Sequence, residues 1–342
     1  MVQKFLIIKV SSLGDVLHNL PIIWDIRKYF PDAQIDWVVE EGYVDLLKPL
    51  QSKGEFRGID RIIPIALRRW KKDIFSSKNW QEFKKFIQIL RQEKYDQVID
   101  FQGLIKSAVV CSLAKRSDQG KTTGLANATE YSAYEPMARM FYSQSVQVPK
   151  RCHAIDRSRY LLSSACQIPL IDKTSSPEFY SKPTINYLFQ KNISDDQKEL
   201  VSPYVLCFHA TARDAKKWDI NSWISVGKYL ISRGFNPVFP WGNSMERRAS
   251  EKLVSHIGGG IVPPAFSISQ YFDIISNASL IIGVDTGLTH LSAALNQPTI
   301  ELYCDSPVWK TEGFWSEKII NLGDTGKPPS TDEAIAAINR LI

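Results

Sequence analysis

The apolar and polar residues of this 342-residue chain alternate between two kinds of segment. Short unbroken apolar runs, such as Phe5-Leu6-Ile7-Ile8, predict buried strands, because a half-exposed strand would alternate apolar and polar positions. Longer segments with apolar residues on one face, such as Trp80–Leu90, predict amphipathic helices. The same pattern predicts strands at Ile35–Val39, Ile62–Ile65, Gln97–Phe101, Tyr204–Phe208, Pro237–Phe239, Leu280–Val284 and Thr299–Tyr303, and helices at Leu104–Lys115, His153–Ser164, Ile220–Arg233, Met245–His256, Ser269–Ser276 and Leu288–Leu295.

These strands and helices form two successive series, which predicts two α/β domains with mainly parallel sheets. The chain length also agrees with two domains. We assign residues 1–168 to the N-terminal domain and 169–342 to the C-terminal one. Within the latter, 169–198 is rich in serine, proline and charge and is interpreted as a linker. The last predicted helix, 331–342, is a candidate to cross back to the N-terminal domain.

The composition is that of a soluble globular protein, with 44% apolar and 23% charged residues. No stretch reaches the roughly 18 apolar residues that a membrane span requires. The five cysteines and five histidines are scattered without pairing or metal-ligand spacing. They therefore predict reduced thiols in a cytoplasmic protein and no zinc site.

Positive charge is concentrated in one half of the chain. Residues 1–165 hold 26 Lys and Arg against 18 Asp and Glu, a balance of +8, whereas residues 166–342 hold 16 against 18, a balance of −2. A basic N-terminal half favours an anionic partner, which on charge alone is nucleic acid, anionic lipid or an acidic substrate. Solvated faces without any partner explain the charge equally well.

Ligands of parallel sheets bind beyond the carboxyl ends of the strands, so the polar segments that follow strands are the candidate sites. The first is KVSSLGDVLHNLP near the N-terminus. Ser11 and Ser12 can cap the coming helix, whose free N–H groups and dipole favour an anion. Pro21 lies inside the helical pattern, so the helix begins late or kinks there. From the residues alone, Asp15 is an ordinary acid of a first helical turn, worth up to ~1 kcal/mol.

The segment VDTGLTHLSAALNQP leaves another predicted strand and enters a helix. The backbone N–H groups at that helix start, the Thr286 hydroxyl and the lack of bulk at Gly287 suit a pyrophosphate. A plain Thr-Gly cap next to a surface His290 is the competing interpretation. In CFHATARDAKKW, a loop that follows another strand clusters Thr211 with the basic residues Arg213, Lys216 and Lys217. Its lysine either neutralises a phosphate or the loop is simply solvated. In PWGNSMERRA, Glu246 either accepts hydrogen bonds from ribose hydroxyl groups or caps its helix.

Two further segments of the sequence resemble phosphate-binding sites. In ALRRWKK, the basic residues around Trp70 are a candidate phosphate-binding patch, although such charge runs are more often solvated. The triplet Gly120-Lys121-Thr122 lacks the first glycine of a P-loop, and no strand is predicted before it. No Asp-x-Asp triplet occurs in the chain, so a metal-held sugar nucleotide is not favoured.

Taken together, KVSSLGDVLHNLP, DWVVEEGY, IALRRWKK, DFQGLIKSA, HATARDAKKW, FPWG with Glu246, and VDTGLTHLSAAL resemble the lipopolysaccharide heptosyltransferase I family, within glycosyltransferase family 9. The motifs stand in the family's order from residue 6 to about residue 303. The resemblance implies a GT-B fold, which has two facing Rossmann-like domains and an interdomain cleft. It places the acceptor on the N-terminal domain and the donor on the C-terminal one.

The resemblance also implies the reaction. It is an inverting, metal-independent transfer of the first L-glycero-D-manno-heptose from ADP-heptose to the Kdo sugar of Kdo2-lipid A, with no cofactor beyond the donor substrate. The enzyme would be cytoplasmic and peripheral on the anionic inner face of the cytoplasmic membrane, with no nucleic acid as partner. The alternatives are a related GT-B transferase with a different core acceptor and a basic nucleic-acid-binding module.

Residue by residue, the resemblance assigns the catalytic base to Asp15. Phe266 stands where the family usually has a methionine against adenine. Three departures affect the donor side: Ala212 replaces a second threonine, Ala215 replaces an acid, and the turn containing Cys304 replaces one containing glycine. The candidate donor-binding residues are Ser11, Ser12, Thr211, Lys216, Glu246, Phe266, Asp285, Thr286, Gly287 and His290, and the candidate acceptor-binding residues are Arg68, Arg69, Lys72, Lys106, His153 and Arg157.

Overall fold

The computed structural model of the protein describes residues 2–171, 177–180 and 203–342. Contacts within the chain divide it into two compact units, Met1–Glu178 and Phe179–Ile342. This division falls ten residues after the boundary that the sequence predicts. Most of the predicted linker, 169–198, lies outside the described residues.

The first unit is a six-stranded sheet in which every pair of neighbouring strands is parallel. Its strand order is β3-β2-β1-β4-β5-β6, the doubly wound order whose direction reverses between β1 and β4, where such sheets bind ligands. The elements are β1 (Lys4–Ile8), α1 (Leu13–Leu17), α2 (Pro21–Tyr29), β2 (Gln34–Glu40), α3 (Val44–Leu47), β3 (Arg61–Ile65), α4 (Leu67–Trp70), α5 (Ser77–Leu90), β4 (Tyr95–Asp100), α6 (Ile105–Leu113), β5 (Arg116–Leu125), β6 (Gln144–Val146) and α7 (Ala154–Cys166).

The start of the chain folds as its residues dictate. The side chains of Phe5, Leu6, Ile7 and Ile8 are completely buried, which explains the unbroken apolar run. The following helical pattern is split into α1 and α2, and Pro21 is the first residue of α2. At that position its missing N–H costs no helical hydrogen bond, so the predicted interruption at Pro21 is confirmed as a break between two helices.

The second unit is a five-stranded parallel sheet of order β11-β10-β9-β7-β8. Numbered within the unit and read from its other edge, this is the doubly wound order 2-1-3-4-5, which reverses between β7 and β9. The elements are β7 (Tyr204–Phe208), α8 (Ile220–Ser232), β8 (Asn236–Val238), α9 (Ser244–Ile257), α10 (Ile268–Ser276), β9 (Leu280–Val284), α11 (Gly287–Ala294), β10 (Thr299–Tyr303), α12 (Val308–Thr311), β11 (Ile319–Gly323) and α13 (Thr331–Leu341).

The last helix belongs to the second unit. Ala334, Ala337 and Ile338 form its buried stripe and join the same core cluster as Leu230 of α8 and Leu302 of β10. The expectation that residues 331–342 cross back to the N-terminal domain is therefore wrong. Its apolar stripe packs against α8 and against the strands β10 and β11 of the same unit.

All the strands and helices predicted from the sequence are present, with ends within three residues of those predicted. Three strands are missed: β5, β6 and β11. In β5 only Thr122–Leu125 are buried, so its polar first half hides the strand pattern. The triplet Gly120-Lys121-Thr122 lies inside this strand. A Cβ on Gly120 would stand 2.4 Å from the Tyr95 carbonyl oxygen, so strand packing explains the glycine.

Two absences in the described residues bear on the earlier expectations. No helix there combines the length and the apolar character needed to cross a bilayer. The five cysteines, all of which lie in the described ranges, are free thiols.

Candidate functional site

Asp15 lies just beyond the carboxyl end of β1, beside the point where the first sheet reverses direction. Its Oδ2 accepts hydrogen bonds from the backbone N–H and the hydroxyl of Ser12, at 2.9 and 2.7 Å. These bonds form a capping box that fixes the carboxylate at the helix start. The side chain is nevertheless 47% exposed, so a carboxylate with a fixed position faces solvent.

One buried cation, Lys9, and one partly buried cation, Arg157, flank this carboxylate. Lys9, whose side chain is 3% exposed, places Nζ 3.9 Å from Asp15 Oδ1 and donates to the Phe101 carbonyl oxygen. Burial lowers the pKa of Arg157, and the charge of Asp15 opposes that shift. Arg157 Nε and Nη2 are buried without a hydrogen-bond partner in the described part of the chain. Arg157 therefore adds positive charge next to the Asp15 carboxylate, which favours an anion at this end of the sheet.

The loop beneath Asp15 is tied to the neighbouring strand. The backbone N–H groups of Val10 and Ser11 donate to Gln102 Oε1, at 3.3 and 3.1 Å. Gly103 follows with φ +76°, and a Cβ there would stand 3.0 Å from the Leu125 side chain and 3.8 Å from Arg157 Nη2. Glycine at 103 therefore both permits the turn and leaves room at the guanidinium.

The predicted acceptor-binding cations that follow β3 and β4 differ in how strongly nearby carboxylates already hold them. Arg68 stacks its guanidinium over the Tyr43 ring at 5.2 Å, and its backbone N–H donates to Glu40. Lys106 is exposed, and its charge reaches the same Glu40 carboxyl. Arg69 is different, because its guanidinium is shared between two glutamates, Glu41 and Glu82.

The other two predicted acceptor residues have separate surroundings. Lys72 lies exposed in the loop after α4. His153 caps α7, since its Nδ1 accepts from the Ile155 N–H at 3.2 Å, and its ring meets the His18 ring edge-on at 5.8 Å. The structure therefore assigns His153 a helix-capping contact, and gathers Arg157, Arg68 and Lys106 at the carboxyl end of the first sheet.

In the second unit, the strand-end aspartate is buried and paired. Lys216 Nζ donates to Asp285 Oδ2, and His290 Nε2 donates to Asp285 Oδ1 at 2.9 Å. His290 Nδ1 donates in turn to Glu301 Oε1 at 3.0 Å. The Asp285 side chain is 8% exposed, and Glu301 is completely buried. Alternating charges thus run from Lys216 on the loop after β7 to Glu301 on β10.

The charge states in this chain follow from its geometry. Burial alone would lower the pKa of His290, but the carboxylates of Glu301 and Asp285 outweigh it and raise the pKa to about 10. Burial alone would raise the pKa of Asp285, but His290 and Lys216 hold it well below its usual range. His290 is therefore an imidazolium that donates from both ring nitrogens.

The start of α11 has the free donors that an anion needs. Thr286 is its N-cap, yet the hydroxyl makes no capping hydrogen bond. Gly287 is the first helical residue and leaves the backbone N–H groups uncovered by a side chain. Thr289 Oγ1 donates to the Val284 carbonyl oxygen and packs against Gly283, which fixes the helix on its strand.

Glu246 and Phe266 lie around one tyrosine. The Phe266 ring meets the Tyr271 ring at 5.7 Å, and burial together with the Glu246 charge raises the Tyr271 pKa. Glu246 is also used locally, because its carboxylate accepts from the Gly242 N–H and the Asn243 amide, each at 2.7 Å. The structure therefore shows the capping role for Glu246 and leaves it partly exposed beside an aromatic pair.

Two departures from the family's pattern line one cavity. Ala215 and Cys304 are both on the wall of a cavity of about 520 Å³, with Trp218 and Asp305. Arg213 donates to Asp305 at 2.9 Å and so joins the loop after β7 to the turn after β10. Burial raises the pKa of the Cys304 thiol to about 11. Thr211 and Ala212 lie just before Arg213 on the loop after β7, where Thr211 is partly buried and Ala212 is exposed.

Glu301 is the residue of this site that the sequence prediction missed. It lies in Thr299–Tyr303, a strand completely buried along its length. Its second oxygen accepts from the Tyr303 hydroxyl and the Gly313 N–H, both at 3.0 Å. The signal was present, because a carboxylate inside an otherwise apolar strand is seldom buried unless it is paired.

A family model and individual relatives agree on the family that this chain resembles. Residues 83–336 match Glycosyltransferase family 9 (heptosyltransferase). Lipopolysaccharide heptosyltransferase 1 of Escherichia coli K12 is 35% identical over 301 residues, which cover 88% of this chain and 88% of that protein. The protein of the same name from Pseudomonas aeruginosa is 33% identical over 301 residues, 88% of this chain and 78% of that one.

Solved structures agree. E. coli heptosyltransferase WaaC with ADP matches with a TM-score of 0.81 at 29% identity, covering 99% of this chain and 100% of that chain. WaaC with ADP-2-deoxy-2-fluoro heptose matches at 0.76 and 28% identity, with 99% of each chain covered. The predicted GT-B fold class and the predicted resemblance are both confirmed. The chain therefore belongs to glycosyltransferase family 9, the heptosyltransferases.

Proposed function

We propose that the protein transfers the first L-glycero-D-manno-heptose of the lipopolysaccharide inner core from ADP-heptose to the Kdo sugar of Kdo2-lipid A. The names of the relatives support the first-heptose step, since proteins 33% to 35% identical are lipopolysaccharide heptosyltransferase 1. The WaaC structures with ADP and with a fluorinated ADP-heptose support the donor. A related transferase with another core acceptor is the outcome that the assay below must separate.

We assign the proton transfer to Asp15. The positive charge of Arg157 beside Asp15 would attract a Kdo carboxylate, which would place an acceptor hydroxyl near Asp15. Asp15 would take the proton of that hydroxyl as its oxygen attacks the anomeric carbon, while ADP leaves from the opposite face with inversion. A helix start and Lys9 both favour the ionised carboxylate and so weaken it as a base. The hydrogen bonds from Ser12 hold the carboxylate in place, and this positioning must therefore supply much of the effect of Asp15 on the rate.

We assign the diphosphate of ADP to the start of α11. Thr286 and the backbone N–H groups at Gly287 would bind phosphate oxygens, and Lys216 would move from Asp285 to neutralise the leaving group. His290 remains cationic and keeps Asp285 neutralised after Lys216 moves. Glu246 and Phe266 are then proposed for the ribose and the adenine of ADP.

This donor site supports a metal-independent reaction, because a lysine, an imidazolium and a helix start already supply positive charge. ADP should bind with a chelator present, and Lys216→Ala should weaken binding by about tenfold or more through loss of a charge-assisted contact. Calorimetry measures both quantities. Binding that appears only after a divalent ion is added would contradict metal independence.

The observation that carries the proposed reaction is the half-exposed Asp15 carboxylate, held in position by Ser12 beside the cations Lys9 and Arg157. Its test is a mass-spectrometric assay of ADP-heptose with Kdo2-lipid A in the presence of a chelator. The expected product carries one added heptose. Transfer to an acceptor that already bears the first heptose, with none to Kdo2-lipid A, would assign the protein to a later step.

We also propose that the protein works at the anionic inner face of the cytoplasmic membrane, because its proposed acceptor is a membrane lipid. The basic N-terminal half supports this, since a net charge of +8 over residues 1–165 would be attracted to acidic lipid.

A further inference from the structure

A cluster of exposed apolar side chains lies between α4 and the second turn of α5, outside the residues assigned to the reaction. Phe75 is 90% exposed, Ile74 is 59% and Trp80 is 55%. Three large apolar side chains exposed so close together mark a surface that binds a partner. Exposed lysines are interleaved with them. The basic–apolar surface is defined by Lys71, Ile74, Phe75, Lys78, Trp80 and Lys84.

The loop that carries these side chains is fastened to the helix. Trp80 Nε1 donates to the Ile74 carbonyl oxygen at 3.0 Å, and the Asn79 amide donates to the Asp73 carbonyl oxygen at 2.7 Å. The Trp80 ring meets Phe83 edge-on at 6.0 Å, and Phe83 packs against the core cluster of the first unit. Phe75 and Ile74 are therefore presented to solvent by a braced loop.

The segment around them carries an excess of positive charge, most of it on exposed lysines. Residues 68–85 contain seven Lys and Arg and two acids, for a net charge of +5. Glu82 forms a salt bridge with Arg69 and accepts a hydrogen bond from the Trp70 indole N–H. Lys71, Lys78 and Lys84 are exposed and form no salt bridge within 4.0 Å in the region that the structure describes.

We infer that the basic–apolar surface docks the protein onto an anionic phospholipid bilayer. Phe75 and Ile74 would enter the boundary between headgroups and acyl chains, where Trp80 is also favoured, and the lysines would meet the acidic headgroups. Charge complementarity selects this partner. Single-stranded nucleic acid would use the lysines and stack on Trp80, but it gives no gain to exposed Ile74.

This inference rests on the proposed function for its purpose, because a membrane-resident acceptor gives a reason to dock. It adds the named residues that make the contact. Its test does not depend on the reaction, since vesicle binding is measured without substrate.

The experiment is flotation of the full-length protein with vesicles of phosphatidylcholine, alone or mixed with phosphatidylglycerol. The wild type should partition onto the mixed vesicles and less onto phosphatidylcholine alone. Phe75→Ser should lower the partition coefficient on mixed vesicles about tenfold, because it removes a large apolar side chain. Lys78→Gln and Lys84→Gln should each lower it about fivefold.

Matched controls come from the same unit. Met140 is 71% exposed and Lys94 is exposed, and both lie outside the basic–apolar surface. Met140→Ser and Lys94→Gln should leave the partition coefficient unchanged. Equal binding to both vesicle types, or equal results for Phe75→Ser and Met140→Ser, would overturn the inference. A lysine effect without a Phe75 effect would also overturn it, since it would indicate charge attraction without insertion.

The reaction is then tested separately. With a deacylated, water-soluble Kdo acceptor, Phe75→Ser should keep the wild-type kcat, and it should be slower only when the acceptor is carried in vesicles. Wild-type protein that binds vesicles but transfers heptose to neither acceptor would contradict the proposed function and leave the docking surface standing.

Discussion

The two units place an aspartate at equivalent points and surround it differently. Asp15 follows β1 and Asp285 follows β9, each beside the reversal of its sheet and each at the start of a helix. The side chain of Asp15 is 47% exposed, whereas that of Asp285 is 8% exposed. Asp15 faces solvent with one oxygen fixed by Ser12, while both oxygens of Asp285 are bonded to cations.

This difference teaches that a strand-end carboxylate is not a base by position alone. A base must reach a substrate proton, and Asp15 is exposed enough to do so. Asp285 is committed to Lys216 and His290, so it organises positive charge for an anion. The same fold element thus presents an exposed carboxylate in one unit, where we propose proton transfer, and a buried, charge-compensated carboxylate in the other.

The largest expected difference between the two aspartates is in their contribution to stability. Asp285→Ala should lower the free energy of unfolding by about 3–5 kcal/mol, because it leaves the buried imidazolium of His290 short of a partner. Asp15→Ala is the matched variant and should cost less, about 1–2 kcal/mol, since it removes a half-exposed helix cap whose ion pair with Lys9 is long, at 3.9 Å. Urea unfolding followed by tryptophan fluorescence measures both. Equal losses in the two variants would contradict the division.

The next effect concerns the protonation of His290. Its pKa of about 10 lies above the ordinary value of 6.5, so it contributes stability that is present below pH 6.5 and is lost as pH rises through 10. Glu301→Gln removes one of the two carboxylates and should lower this pKa. Between these values the free energy of unfolding should therefore fall less steeply with pH than in the wild type, where the His290 contribution is at most about 1.4 kcal/mol per pH unit.

NMR of isotopically labelled histidine checks this prediction. The wild-type His290 ring should stay protonated through neutral pH, and in Glu301→Gln it should lose its proton at a lower pH. Exposed His256 provides the internal reference, because its signal should not respond to the substitution. A wild-type His290 signal that titrates near pH 6.5 would show that Glu301 does not hold the charge.

The smallest expected effect separates two neighbouring arginines. Arg68→Gln should raise the acceptor KM about tenfold, because it removes a cation that stacks on Tyr43 and is not held by a pair of carboxylates as Arg69 is. Arg69→Gln should change KM little and stability by ~0.2–1 kcal/mol, because Arg69 is held in exposed ion pairs with Glu41 and Glu82. ADP affinity should be unchanged in both. The opposite ranking of the two KM values would place the acceptor contact on Arg69.

The sequence predicted the strands that matter and the residues that follow them, because buried parallel strands are unbroken apolar runs and ligand residues come directly after them. Asp15, Asp285 and Thr286 were located in this way. What it missed depends on distant partners: Arg69 is taken by glutamates from two other elements, and Glu301 acts through His290. The place of Glu301 in an apolar strand indicates that it is paired, but the identity of a distant partner has no local signal, so only the fold shows which residues pair.

The most direct test of the central claim is the single-turnover rate of heptose transfer by Asp15→Asn at saturating ADP-heptose and acceptor. Asparagine keeps the size of the side chain and one acceptor oxygen for Ser12, so ADP affinity and melting temperature should stay near wild type. Loss of a positioned base predicts a transfer rate lower by ~10²–10⁴-fold. A folded Asp15→Asn protein that transfers heptose at close to the wild-type rate would contradict the assignment of Asp15 as the base.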